Sequence, residues 1–245
     1  MDTETTAKGS GNKFAIPASI VISGLIIAGA IIYAQRVSGP TTASVRETLG
    51  EGQTGNVNAA DNIRPITNKD HVRGKPDAPI AIVEFSDTEC PFCKRFHETM
   101  QQAVREYGDR IVWVYRHFPL DQLHSKARKE AEATECANEL GGNEKFWAYV
   151  DRLFEVTPSN DGLDPAELSR IAEFVGLDRA QFQTCLMSGR FAKYVEDDYQ
   201  DAVNSGGTGT PFNVVIASDG TKTPLIGAQP YSVIREAIER ALNAR

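Results

Sequence analysis

The chain has 245 residues, enough for one domain of ordinary size with appendages. Its 26 lysines and arginines stand against 33 aspartates and glutamates, a net charge of −7, and no basic stripe is visible, which argues against nucleic acid as a partner. Four cysteines, an even number, fit an oxidising compartment.

Phe14 to Ala34 carries no charge over 21 residues, the length of a bilayer-spanning helix. Lys8 and Lys13 flank it on one side and Arg36 on the other, so the positive-inside signal is nearly balanced. The expected layout is a cytoplasmic segment over 1–13, a retained anchor over 14–34, and everything beyond outside the cytoplasm. The rival is a cleaved signal peptide, for which Ala28-Gly29-Ala30 offers an A-x-A site; the apolar run continuing through Tyr33 favours the anchor. Residues 35–62 are rich in Gly, Thr, Ser, Ala and Asn, lack aromatics, and read as a flexible linker.

From residue 63 the composition turns globular. The run 80–86 (Ile-Ala-Ile-Val-Glu-Phe-Ser) is apolar on both faces and reads as a central strand of a sheet covered on both sides. Glu84 is the one carboxylate in it. Burial should raise its pKa, which would suit it to relay a proton; the plainer alternative is an acid satisfied by local hydrogen bonds.

Next comes Cys90-Pro91-Phe92-Cys93, followed by Phe96, Met100, Ala103, Val104 and Tyr107 at helical spacing. Cys90 falls at the N-cap and Pro91 at the first helical position, where its missing N–H costs nothing. Free N–H groups and the dipole at a helix start favour a thiolate, so this is a redox arrangement. Two readings compete: a zinc site using Cys90, Cys93 and His97, which no second C-x-x-C completes, and a purely structural disulfide. No metal or cofactor is expected.

A second strand follows over 111–118, giving a βαβ unit with parallel strands. Residues from about 122 to 204 read as an insertion of several short helices. Asp164-Pro165-Ala166-Glu167 starts one, Gly176 closes it, and Asp178 with Gln181 opens the next. Phe146, Trp147, Tyr149, Leu153 and Phe154 read as core. Cys136 and Cys185 lie near the two ends of this insertion. In an exported protein a structural disulfide between them is favoured over two free thiols. Strand signal returns at Phe212 to Ile216 after Thr210-Pro211; Ser218-Asp219-Gly220 turns the chain into a return strand, and 230–244 is an amphipathic last helix. A proline entering a strand can be cis or an ordinary trans edge residue, and both remain open.

Taken together, these motifs resemble DsbA-type thiol:disulfide oxidoreductases of the membrane-anchored bacterial kind. The resemblance rests on strand–CPFC–helix, Arg116-His117-Phe118-Pro119-Leu120, the helical insertion, Gly209-Thr210-Pro211, and Gly227-Ala228-Gln229-Pro230, and covers roughly 65–245. It implies an α/β thioredoxin-like fold over 63–245 with an inserted helical domain. It makes Cys90 the attacking cysteine, Cys93 the resolving one, Pro211 a cis-proline preceded by Thr210, and Glu84 the buried acid. Phe92 departs from the best-known member, which has a histidine there, so a milder oxidant is expected. The implied function is the introduction of disulfides into unfolded or reduced exported proteins, with a membrane-embedded reoxidising partner. The alternatives are a disulfide reductase or isomerase, and a non-catalytic, membrane-tethered binding module on the same scaffold.

Overall fold

In the computed structural model, which describes residues 59–244, the strand at the centre of the sheet is β2, Ile80–Ser86. It pairs in parallel with β3, Ile111–His117, and antiparallel with β4, Phe212–Ile216. β1, His71–Gly74, lies antiparallel outside β3, and β5, Lys222–Ile226, antiparallel outside β4, so the order is β1-β3-β2-β4-β5. Among the described strands only β2 and β3 pair in parallel, and that pair needs a crossover helix. The crossover is α1, Pro91–Tyr107.

Among the described residues, six helices cover the sheet and build the insertion: α1, α2 (Ala127–Val156), α3 (Ala166–Phe174), α4 (Arg179–Ser188), α5 (Ala192–Asn204) and α6 (Tyr231–Asn243). On one face, α1 buries Phe96, Met100 and Ala103, and α6 buries Ile234 and Ile238, against Ile82, Trp113 and Tyr115. On the other, Val83, Phe85, Val114 and Phe212 pack under Ala202 of α5 together with Ala60 and Ile63. Each large side chain so covered contributes about 1.5–3 kcal/mol from removal of apolar surface.

Three features depart from the sequence reading. The segment taken as a linker to residue 62 ends earlier: Ala59–Asn62 form a short 3-10 turn, Ala60 is fully buried, and Asn62 Nδ2 donates to Asn204 O. β1 has no apolar alternation to announce it; its register against β3 holds it. Its last residue, Gly74, sits at φ 103°, where an added Cβ would meet Ile111 O at 2.7 Å, so nothing but glycine fits. Finally, where several short helices were expected, the insertion opens on a 30-residue helical stretch, Ala127–Val156, made of two segments that meet at a kink. The chain breaks helical geometry only at Gly142 (φ 71°, ψ −172°) and continues.

Beyond the kink, α2 serves two cores. Phe146, Trp147, Val150 and Phe154 face the sheet, while Tyr149 and Leu153 face a separate cluster with Cys136, Leu168, Ile171, Phe182 and Cys185. Cys136 and Cys185 are joined by a disulfide, Cα atoms 5.8 Å apart. The caps lie where the polar residues put them: Asp178 Oδ1 accepts the Gln181 N–H at 2.7 Å, and Asp164 Oδ1 accepts that of Ala166 at 2.9 Å. A cap of this kind contributes about 1 kcal/mol.

Arg116, fully buried at the end of β3, donates through Nε to Asp70 (2.8 Å) and through Nη1 to Asp201 (2.8 Å), with further bonds to the carbonyls of Arg64 and Pro65. A sealed guanidinium is tolerated because its charge and donors are matched. The network ties the segment before β1 and helix α5 to the sheet. The anchor expected over 14–34 lies outside the described residues. Among the described residues, no helix is long and apolar enough to cross a membrane.

Candidate functional site: a dithiol at the head of α1

β2 ends at Ser86, and three residues, Asp87-Thr88-Glu89, carry the chain to Cys90, the N-cap of α1. The turn is closed by the Cys90 N–H on Asp87 O at 3.1 Å. Pro91 takes the first helical position, and Pro91 and Phe92 face solvent. Cys90 barely reaches the surface, whereas Cys93, one turn in, is fully covered. Both are free thiols here. The Thr210–Pro211 peptide bond is cis, and it brings the β4 entry over the motif: Cys90 Sγ lies 3.5 Å from Thr210 O.

The two thiols have opposite electrostatics. Cys90 is drawn down to about 6, first by the hydrogen bond from the Cys93 thiol, then, against burial, by the Thr210 hydroxyl and the N–H groups of Cys93 and Phe92. The last two are the unpaired amides of a helix start. Cys93 is pushed far up by burial, by donating that bond, and by the charges of Cys90 and Glu84; the Asp87 N–H at 3.4 Å pulls weakly the other way. Near neutral pH the site therefore holds one thiolate, at the reachable sulfur, and one thiol behind it.

Glu84 lies on the same strand with no exposure. Its Oε2 accepts the Trp113 indole N–H at 2.9 Å, and Oε1 has no partner. Burial pushes its pKa from 4.5 to about 8, so near pH 7 it is mostly a neutral acid close to Cys93. Across pH 4.5–8 the unfolded chain sheds this proton and the native one keeps it, so stability falls as pH rises. Glu84→Gln keeps an acceptor for Trp113 and has no proton to lose. Its stability relative to wild type in denaturant titrations should improve from pH 5 to pH 8. An unchanged difference would mean that Glu84 ionises alike in both states.

His97 is not brought to the cysteines. Its Nε2 meets Asp151 Oδ1 at 2.6 Å, and its ring packs near Trp113 and Phe154. One group among the described residues has metal-ligand character: His71, His117 and Glu135, their ligand atoms within 4.8 Å. Both Nε2 atoms already hydrogen-bond Glu135 Oε1 at 2.7 Å. Against burial, the two imidazoles hold that carboxyl down to about 2.

Sequence reasoning missed a shell of buried polar groups around the motif. Asp87 Oδ2 accepts from His124 Nδ1 (2.9 Å) and Leu120 N (2.8 Å). Glu89 is fully buried beneath the insertion, with Asn160 N on its carbonyl at 2.8 Å. Glu130, bonded by the Thr88 hydroxyl at 2.8 Å, is pushed up to about 9 by burial and by Glu89. Nothing local to Asp87-Thr88-Glu89 announces that the insertion seals these acids.

The family model described as thioredoxin matches residues 67–239. Among solved structures, DsbA2 of Pseudomonas aeruginosa is 27% identical with a TM-score of 0.62, covering 74% of this chain and 98% of its own. BdbD of Bacillus subtilis, in its oxidised form, is 25% identical with a TM-score of 0.64, covering 74% and 97%. Among curated proteins, the Na(+)/H(+) antiporter NhaA 1 of Mycolicibacterium gilvum is 38% identical over 143 residues, which are 57% of this chain and 22% of the antiporter. The chain thus matches about a fifth of the length of these curated relatives.

Proposed function

The chain belongs to the thioredoxin family as a DsbA-like thiol-disulfide oxidoreductase, and from that premise we propose the direction in which it works: it donates the Cys90–Cys93 disulfide to reduced proteins. The observation that carries this reading is the place of Cys90 at the N-cap of α1, beside Cys93 and the free amides of the first turn, which draw its pKa down to about 6. A stabilised thiolate makes the reduced form the more comfortable one, so the disulfide form is the oxidant.

A substrate thiolate attacks Cys90 Sγ, the reachable sulfur, and the S–S bond breaks toward Cys93. Cys93 leaves as a thiolate in a buried place that disfavours charge, so it takes a proton, for which the neutral Glu84 carboxyl is the nearby source. The second substrate thiolate then attacks the substrate sulfur of the mixed disulfide, and Cys90 departs as the stabilised thiolate. In sum, one disulfide and two thiols become one dithiol and one new disulfide. Thr210 and Pro211 stand over Cys90, where an extended substrate segment would lie.

We place the domain outside the cytoplasm, tethered through residues 14–34, with a membrane-embedded partner that restores the disulfide. The charge-free stretch supports the tether. Similarity to part of a chain named as an antiporter supports a membrane setting.

A Cys90 pKa of about 6 lies between the values typical of thioredoxin, about 7, and of the strongest oxidants, about 3.5. Equilibration with glutathione should therefore give a reduction potential above thioredoxin's, about −270 mV, and below about −120 mV. A value at or under the lower figure would reverse the direction of electron flow and make the protein a reductant.

A further inference from the structure

Neither residue between the two cysteines carries charge, yet the site holds a thiolate. Outside α1, a buried imidazole that interacts with Cys90 lies on the loop after β3. Phe118 N bonds Ser86 O at 2.8 Å, which lays this loop along the turn before the motif. Leu120 O then accepts both the Leu123 N–H (2.8 Å) and the His124 N–H (2.9 Å), a tight turn that points two neighbouring side chains differently. Leu123 is 70% exposed, and His124 is 6% exposed.

What His124 meets is Asp87. The Asp87 carboxylate is fully engaged: Oδ2 takes His124 Nδ1 and Leu120 N, and Oδ1 takes the Glu89 N–H at 2.8 Å. The same residue's backbone touches both cysteines, its N–H toward Cys93 Sγ and its carbonyl on the Cys90 N–H. One residue thereby fixes an imidazole to the turn that carries the dithiol.

We propose that His124, clamped by Asp87, is a positioning residue for the exchange reaction, a charge partner supplied from outside the motif that stabilises the Cys90 thiolate. Burial raises the Asp87 carboxyl above its ordinary range, and the bonds from Leu120, His124 and Glu89 pull against that rise. Against the downward push of burial, Asp87, the Cys90 thiolate and Asp161 raise the affinity of His124 for that proton. Coupling is reciprocal, so the imidazolium lowers Cys90 by as much as the thiolate raises His124. At Cys90 this adds to the larger hydrogen bonds from Cys93, Thr210 and Phe92.

The other charges facing the ring are accounted for. Asp161 is occupied by Ser125 and by the Lys126 N–H, and the Lys126 ammonium is spent on the carbonyls of Asp161 and Leu163. Glu89 and Glu130, on the far side of the turn, interact with each other, and Glu130 keeps its proton up to about pH 9. When the disulfide forms, the thiolate vanishes and the attraction goes with it. His124 is thus expected to bind its proton more tightly in the reduced protein than in the oxidised one.

The proposal rests on Cys90 being the exchanging thiol, whichever way electrons flow. The test is His124→Gln, which keeps a donor for Asp87 but no charge. Thiolate absorbance of the reduced full chain is followed against pH, with alkylation rate as a second readout. The expected result is a higher Cys90 midpoint; one unit of rise lowers the thiolate fraction at pH 6 about fivefold. Superimposable titrations of wild type and variant would overturn the proposal. A wild-type midpoint near about 8.5, that of a free thiol, would instead sink the exchange reading itself. Should the variant fail to fold, NMR titration of His124 in reduced wild type and in Cys90→Ala decides alone: a lower His124 midpoint without Cys90 supports the coupling, and an equal one refutes it.

Discussion

Cys93→Ala in the full chain is expected to turn the protein into a trap for its partners. Cys90 keeps its place at the N-cap and the two helix amides, which still favour its thiolate, while the largest pull on it, the Cys93 bond, is lost and adducts form more slowly. A partner disulfide can still be attacked by Cys90. The escape step is lost, because the sulfur that would attack the mixed disulfide from within is gone. Non-reducing gels should show adducts that vanish with reductant, absent from Cys90→Ala. The fold should survive, since an alanine fits where a small buried cysteine stood. If the reading of residues 14–34 as an anchor holds, the adducts should sediment with membranes and contain exported proteins. Adducts formed equally well without Cys90 would remove the exchange site from this motif.

The second large effect belongs to the other pair. Cys136 and Cys185 are 49 residues apart in the chain, and both side chains lie in the core shared by α2, α3 and α4. Closing a loop of that size in the unfolded chain is worth about 4 kcal/mol on the chain-entropy model. Replacing both with Ala should lower stability by up to that amount in denaturant titrations while leaving the Cys90 midpoint in place. The Cys136–Cys185 bond is covered by helices, whereas an oxidised Cys90–Cys93 pair is reachable at Cys90, so mild reductant should open the second pair first. Peptide mapping that finds Cys136 and Cys185 as thiols in the oxidised protein would end this account.

Much of this was legible because it is local. A strand covered on both faces writes itself as an unbroken apolar run, as at 80–86. A cap writes itself as Asp178 with Gln181 three residues on. The motif declares both its cysteines and the helix they start. What stayed hidden depends on contacts between distant parts of the chain. β1 is four residues with a glycine at its end, and only pairing with β3 makes it a strand. Ala60 reads as part of a flexible stretch until α5 and β5 supply the surface that buries it. The extent of α2 is not announced locally, because its apolar residues face two directions, which blurs any single periodicity. His124 and Asp87, 37 residues apart, meet only after β3 has returned alongside β2.

That two-directional helix has an architectural meaning. Past Gly142, α2 is a party wall: the rooms on both sides hang their furniture from it. Stripping out 122–204 would not reveal a smaller finished building, because Phe146, Trp147 and Phe154 would leave Trp113 and Tyr115 facing water. The insertion is therefore no detachable cassette. Substitutions are freest where a side chain past Gly142 is exposed and packs into neither room, as at Glu144.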